Sequence, residues 1–92
     1  MTLTATLTNR IGIKYLIIGE VDQKLVSVAT VTDTMIFAIE INDFIQRWER
    51  WEKGEYIQIA FGLLSGEERE FLQTGYTPEK WAKVFRNLDE DR

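Results

Sequence analysis

Carboxylates at close spacing are the first chemistry this chain offers. Glu49 and Glu52 stand three residues apart, and so do Glu67 and Glu70, with Glu68 between the latter two. Two carboxyl groups can divide the work of hydrolysis, one as acid and one as base or nucleophile. Pairs at helical spacing are common on any solvated helix, however, so the spacing alone carries almost no information. The chain has no histidine and no cysteine. That removes the side chain that titrates nearest neutrality, the thiolate nucleophile and the soft metal ligands. A Ser-His-Asp triad, a disulfide and a cysteine- or histidine-based zinc site are excluded within one chain. The expectation is a protein that is not an enzyme, with no catalytic residues, no cofactor and no metal.

The same residues have other uses. Glu67, Glu68 and Glu70 sit at the start of a helix signalled by Ser65 and could meet a basic partner. The plainer reading is that acids there complement the helix dipole, worth about 0.3–1 kcal/mol each. Arg47, Arg50 and Lys53 flank Trp51, a combination suited to single-stranded nucleic acid. Glu49, Glu52 and Glu55 interrupt that ridge, and a salt-bridged solvated face is the plainer reading. Trp48, Trp51, Trp81, Tyr56 and Tyr76 are a heavy aromatic load for a small core. Trp and Tyr combine apolar area with a polar handle, which makes them interface anchors. Trp81 falls on a core stripe. Trp51, ringed by charges at the edge of its stripe, is the surface candidate, with Tyr56 nearby.

Ninety-two residues bound what can position these groups: one domain and one core. A chain this short buries only about 60–65% of its unfolded surface, so stability should be modest unless it oligomerises. Its apolar content of 45% is too high for a disordered tail. Apolar runs such as Tyr15-Leu-Ile-Ile18 fall far short of the about 20 residues that span a bilayer. Met1-Thr-Leu-Thr-Ala-Thr-Leu-Thr8 lacks the basic start and continuous apolar region of a signal peptide. A cytoplasmic protein is the expectation, with no membrane contact. The net charge of −4, from 15 acids against 11 bases, disfavours non-specific nucleic-acid binding.

Up to Ile41 the apolar period is two. Leu3, Ala5 and Leu7 alternate with threonines, and Ile11, Ile13, Tyr15 and Ile17 continue the alternation. Leu16 and Ile18 on the opposite face suggest burial on both sides there. Leu25–Val31 is rich in β-branched residues. Met35, Phe37, Ile39 and Ile41 form a last alternating run. Three or four strands with short connections imply an antiparallel meander, the alternative at Asn9-Arg10 being one bent strand.

From Asp43 the period is helical. Asp43 and Gln46 form a variant capping box, Phe44, Trp48 and Trp51 share a face, and Gly54 ends the helix. Ile57, Ala60, Phe61 and Leu64 predict a short helix over Glu55–Leu64. Ser65 and Glu68 make a capping box for Gly66–Thr74, ended by Gly75. Thr77 and Pro78 then open a helix to Leu88 with a stripe at Trp81, Val84, Phe85 and Leu88, Tyr76 and Trp81 forming a staple. Asp89-Glu-Asp-Arg92 reads as a charged tail. Strands first and helices after predict an α+β domain over residues 1–92: a meander, then three or four short helices packed on one sheet face.

The run Ile57-x-x-Ala60-Phe61-x-x-Leu64-Ser65-x-x-Glu68-Arg69-x-Phe71-Leu72-x-x-Gly75-x-Thr77-Pro78-Glu79-x-Trp81 resembles a segment of small proteins of phages and other mobile elements. There, W-x-x-G-x-x-I-Q-x-A-F-P-x-L-S leads into E-R-E-F-L-x-x-G-x-T-P-E-E-W. Trp51, Gly54, Ile57 and Gln58 match its beginning. Gly62 stands where proline is expected, and Lys80 where glutamate is. The resemblance covers the helical half, implies a phage or plasmid origin, and transfers no activity or site residue. Small acidic phage proteins that act stoichiometrically include anti-CRISPR inhibitors. The expected function is therefore protein binding, with a host protein or protein–nucleic acid complex as partner and with Trp51, Tyr56, Glu67, Glu68 and Glu70 at the contact. The alternatives are a nucleic-acid-binding accessory protein and a structural or assembly component. Monomer and homodimer are both open.

Overall fold

The computed structural model describes residues 1–80 together with residues 82 and 83. Four strands come first: β1 (Thr2–Thr8), β2 (Lys14–Glu20), β3 (Val26–Ala29) and β4 (Thr34–Phe37). They form one antiparallel sheet in the order β1-β2-β3-β4. Three helices follow, α1 (Ile41–Glu52), α2 (Ile57–Ala60) and α3 (Gly66–Thr74), and the fold is α+β. Residues 78–80 and 82–83 are also helical, and the Lys80 N–H donates to Thr77 Oγ1 at 3.2 Å, the cap read from Thr77-Pro78. The stripe at Trp81, Val84, Phe85 and Leu88, the Tyr76–Trp81 staple and the charged tail lie outside the described residues.

Alternation along each strand decides which side is buried. The register sets Leu7 opposite Tyr15, Ala5 opposite Ile17, Ile17 opposite Val28, and Val26 opposite Phe37. These side chains point to the helical layer. Tyr15, Ile17, Val26, Val28 and Phe37 form one buried cluster with Phe44, Trp48 and Trp51 of α1, Phe61, and Phe71 and Leu72 of α3. Tyr15 meets the Trp48 ring edge-on at 5.5 Å and Phe71 at 5.7 Å. Contacts of this kind add about 0.5–1.5 kcal/mol each beyond the area they bury. Gly19 permits the close approach of α1, because a Cβ there would lie 3.0 Å from Ile41 Cβ.

The expectation of burial on both faces around Leu16 and Ile18 is overturned. Leu16 is 45% exposed and Ile18 39%, and Ile36 on the same face is 55% exposed. The described helices cover one face only, and an apolar residue on the second face does not reveal whether a neighbour covers it.

The strand boundaries also move. Asn9-Arg10 lies in a turn between two separate strands, so Ile11 is exposed rather than paired. The last strand stops at Phe37, and Ile41 opens α1. Asp43 is not the cap. Glu40 is, its carboxylate accepting from the N–H groups of Asn42 (2.7 Å) and Asp43 (3.2 Å). Asp43 instead sits in the first turn and accepts from Arg47 Nε at 3.0 Å. The helix expected over Glu55–Leu64 is shortened to α2. At α3 the expected devices are all present: Ser65 Oγ accepts from the Glu68 N–H, Glu68 accepts from the Ser65 N–H, and Gly75 is left-handed at φ 75°.

Candidate protein-binding surface

Trp51 does not reach the surface. Its side chain is 4% exposed, which corrects its assignment as an anchor. The ring lies edge-on to Trp48 at 5.0 Å and to Phe61 at 6.4 Å. Arg10 closes the remaining side, with its guanidinium 5.7 Å from the ring centre and Nη2 donating to Trp51 O at 2.6 Å. Charged neighbours in sequence misled here. On a helix, Arg50 and Glu52 point roughly 100° away from Trp51, so their solvation says little about its own.

The two arginines of the basic ridge are internally occupied. Arg47 donates to Asp43 and, at 3.0 Å, to Ala60 O. Arg50 makes a two-pronged pair with Glu55. Glu52 accepts from Trp48 Nε1 at 2.9 Å, so it serves the core tryptophan. A ridge whose guanidinium groups already hold carboxylates and a carbonyl offers little to a phosphate backbone.

Tyr56 is 71% exposed. It precedes α2, and two further large apolar side chains follow it outward, Ile59 at 57% and Leu63 at 50% exposure, with Gln58 and Gly62 also exposed. Between them Ile57, Ala60, Phe61 and Leu64 are buried. The segment therefore buries four residues in the core and leaves three large apolar side chains in solvent, an excess that core packing does not require.

The acids that follow it in sequence divide. Glu68 is committed to the capping box and to that extent is removed from the contact list. Glu67 and Glu70 line a shallow hollow of about 270 Å³ with Gly66, Tyr76 and Pro78. Two carboxylates around a tyrosine ring and a proline suit the charged end and aliphatic stem of a lysine or arginine. Lys80 borders the same ring, 5.7 Å from its centre, but its ammonium is tied to Asp33 Oδ2 at 2.9 Å and Thr32 Oγ1 at 3.0 Å. The Lys80 ammonium beside it holds the Asp33 carboxyl below the usual range.

Sequence reasoning missed Asn9, a buried polar residue that joins the two halves. Its Nδ2 lies 3.0 Å from Leu72 O and 3.1 Å from Gln73 O, at the end of α3. Its Oδ1 accepts from the N–H groups of Ile11 and Ile13. Tyr15 adds a bond from its hydroxyl to Phe71 O at 2.7 Å. Burial pushes the Tyr15 hydroxyl up to about 12. The signal in the sequence was an asparagine between two alternating runs, which marks a turn but not its distant partners.

Among the described residues no group of three His, Cys, Asp or Glu side chains is placed to hold a metal ion, and no helix is long and apolar enough to cross a membrane. No protein-family model, curated protein or solved structure matches this chain. At Gly62 a Cβ would meet Gln58 O at 2.9 Å, so a larger residue there would force the backbone to shift.

Proposed function

We propose that this protein works without catalysis, by binding another protein through the surface that runs from Tyr56 to the hollow before Pro78. The observation that carries this reading is the outward apolar set Tyr56, Ile59 and Leu63 close in sequence to the hollow lined by Glu67 and Glu70. Exposed apolar area supplies affinity by desolvation, and flanking carboxylates set the rate of encounter with a basic partner. In the phage or mobile-element setting that the resemblance implies, the favoured role is stoichiometric inhibition of a host defence system, of the anti-CRISPR kind. Its place of action would be the cytoplasm of a bacterial host.

The test is capture by tagged protein from bacterial host lysate, followed by binding kinetics with the captured partner. Tyr56→Ala should speed dissociation, and Glu67→Lys with Glu70→Lys should slow association while leaving the circular dichroism spectrum unchanged. If both variants bind like wild type, the contact lies on the sheet. Retention on DNA that falls steeply with salt would instead establish a nucleic-acid-binding accessory protein. Recovery only in particles or assemblies would establish a structural component.

A further inference from the structure

Strand β1 is an outer strand of the sheet, and among the described residues it pairs with β2 alone. Natural edge strands are usually blunted by charge, proline, a bulge or shortness. β1 has none of these: it is seven residues long, Thr-Leu-Thr-Ala-Thr-Leu-Thr, uncharged and in unbroken register with β2. It also reads the same in both directions about Ala5.

We propose that β1 pairs antiparallel with β1 of a second copy, on a twofold axis through Ala5, to give a homodimer with one continuous sheet. The inference stands apart from the functional reading above and requires no host partner. In an antiparallel pair the backbone groups of alternate residues point to the same neighbour. The Val21 N–H donates to Met1 O and the Asn9 N–H to Ile13 O, both at 3.0 Å. Odd-numbered residues therefore bond to β2, and Thr2, Thr4, Thr6 and Thr8 direct their N–H and C=O groups outward. Antiparallel pairing about Ala5 sets Thr4 opposite the partner's Thr6, and Thr2 opposite the partner's Thr8, so each outward group meets a complementary one.

The side chains agree with that register. Leu3 falls opposite the partner's Leu7 and Ala5 opposite itself, all on the helical side of the sheet. These are the closely spaced, non-hydrogen-bonded positions, where facing side chains pack best. Leu3, Ala5 and Leu7 are only partly buried in one copy, where they lean against the core cluster, and a second strand would cover them. The threonines all lie on the open face, and β-branched residues suit a pleated surface. No like charges are set opposite each other. An isologous contact of this kind closes on itself and leaves no β1 edge for a third chain.

The test is sedimentation over a wide concentration range with three variants. Wild type is expected to sediment as a dimer. Thr6→Pro removes an outward N–H on an edge strand, where proline is tolerated, and should yield a folded monomer. Ala5→Cys introduces the protein's sole thiol opposite its own copy, with Cα atoms about 4.5 Å apart in such a pair, within reach of a disulfide. Mild oxidation should convert it to covalent dimer, whereas Ile11→Cys, exposed in the turn, should stay monomeric in denaturing gels. A wild-type monomer at every concentration, a dimer that survives Thr6→Pro, or an Ala5→Cys protein that crosslinks no better than Ile11→Cys would overturn the proposal. Should Thr6→Pro fail to fold, the cysteine pair decides it alone.

Discussion

Asn9 shows how much one polar side chain can carry. It closes the β1–β2 turn and grips the end of α3, so the first turn of the chain depends on residues more than sixty positions away. Asn9→Ala would leave buried carbonyls and the Tyr15 hydroxyl short of partners, a loss of about 1–3 kcal/mol in urea melts. Trp51→Ala should cost about 3–5 kcal/mol, because it empties a site between Trp48 and Phe61. That result would separate a core tryptophan from an interface one, whose removal leaves stability nearly unchanged. Tyr15 predicts the alkaline limb. Its folded value is about 12 against an ordinary 10.0, so only the unfolded chain ionises it between those values. Its contribution is fully present below pH 10 and declines as pH rises toward 12. Tyrosinate absorbance of the folded protein should therefore show a tyrosine that ionises only near pH 12.

At the scale of elements, the caps are separable from the core. Ser65→Ala should cost about 1 kcal/mol through the lost bond to the Glu68 N–H. Gly75→Ala should cost about 1–2 kcal/mol, since a left-handed φ of 75° is strained for any residue with a Cβ. The Cβ would also press on Ile13 Cδ1 at 3.3 Å. Glu40 is the cap that sets a pH dependence. Partial desolvation opposes its ionisation, but the N–H groups of Asp22, Asp43 and Asn42 more than offset this and hold its carboxyl below the ordinary value. A lowered carboxyl contributes stability above the unfolded value and loses it as pH falls through the folded one. Glu40→Gln should thus lower the melting temperature at neutral pH and make it less sensitive to acid. The α3 devices were legible in the sequence because each involves groups within four residues. The α1 cap was not. Asp43 and Glu40 are both acids able to cap, three residues apart, and the start of α1 at Ile41 makes Glu40 the cap.

For the whole molecule, the proposed binding surface is a matter of what the core leaves uncovered. Tyr56, Ile59 and Leu63 are outward because Ile57, Ala60, Phe61 and Leu64 already fill the inner side. Reversing Glu67 and Glu70 to lysine should lower the association rate with a basic partner and flatten its salt dependence, as stopped-flow measurements across ionic strength would show. The fold should survive, since Glu67 is exposed and Glu70 half-buried, and neither is part of the capping box. The same logic applies to β1, whose pairing groups are outward because β2 uses only alternate residues.

The sequence by itself determined the order of elements, the antiparallel meander, the amphipathic faces and the caps of α3. All of these follow from periodicity and short-range hydrogen bonding, which act over a few residues. Tertiary structure alone decided that Trp51 is buried, that Leu16 and Ile18 are not, that Asn9 bridges the halves, and that Glu67 and Glu70 share a hollow with Tyr76. Those outcomes depend on which surfaces meet across the chain, and a side chain's exposure is set by the neighbour that covers it rather than by its own chemistry.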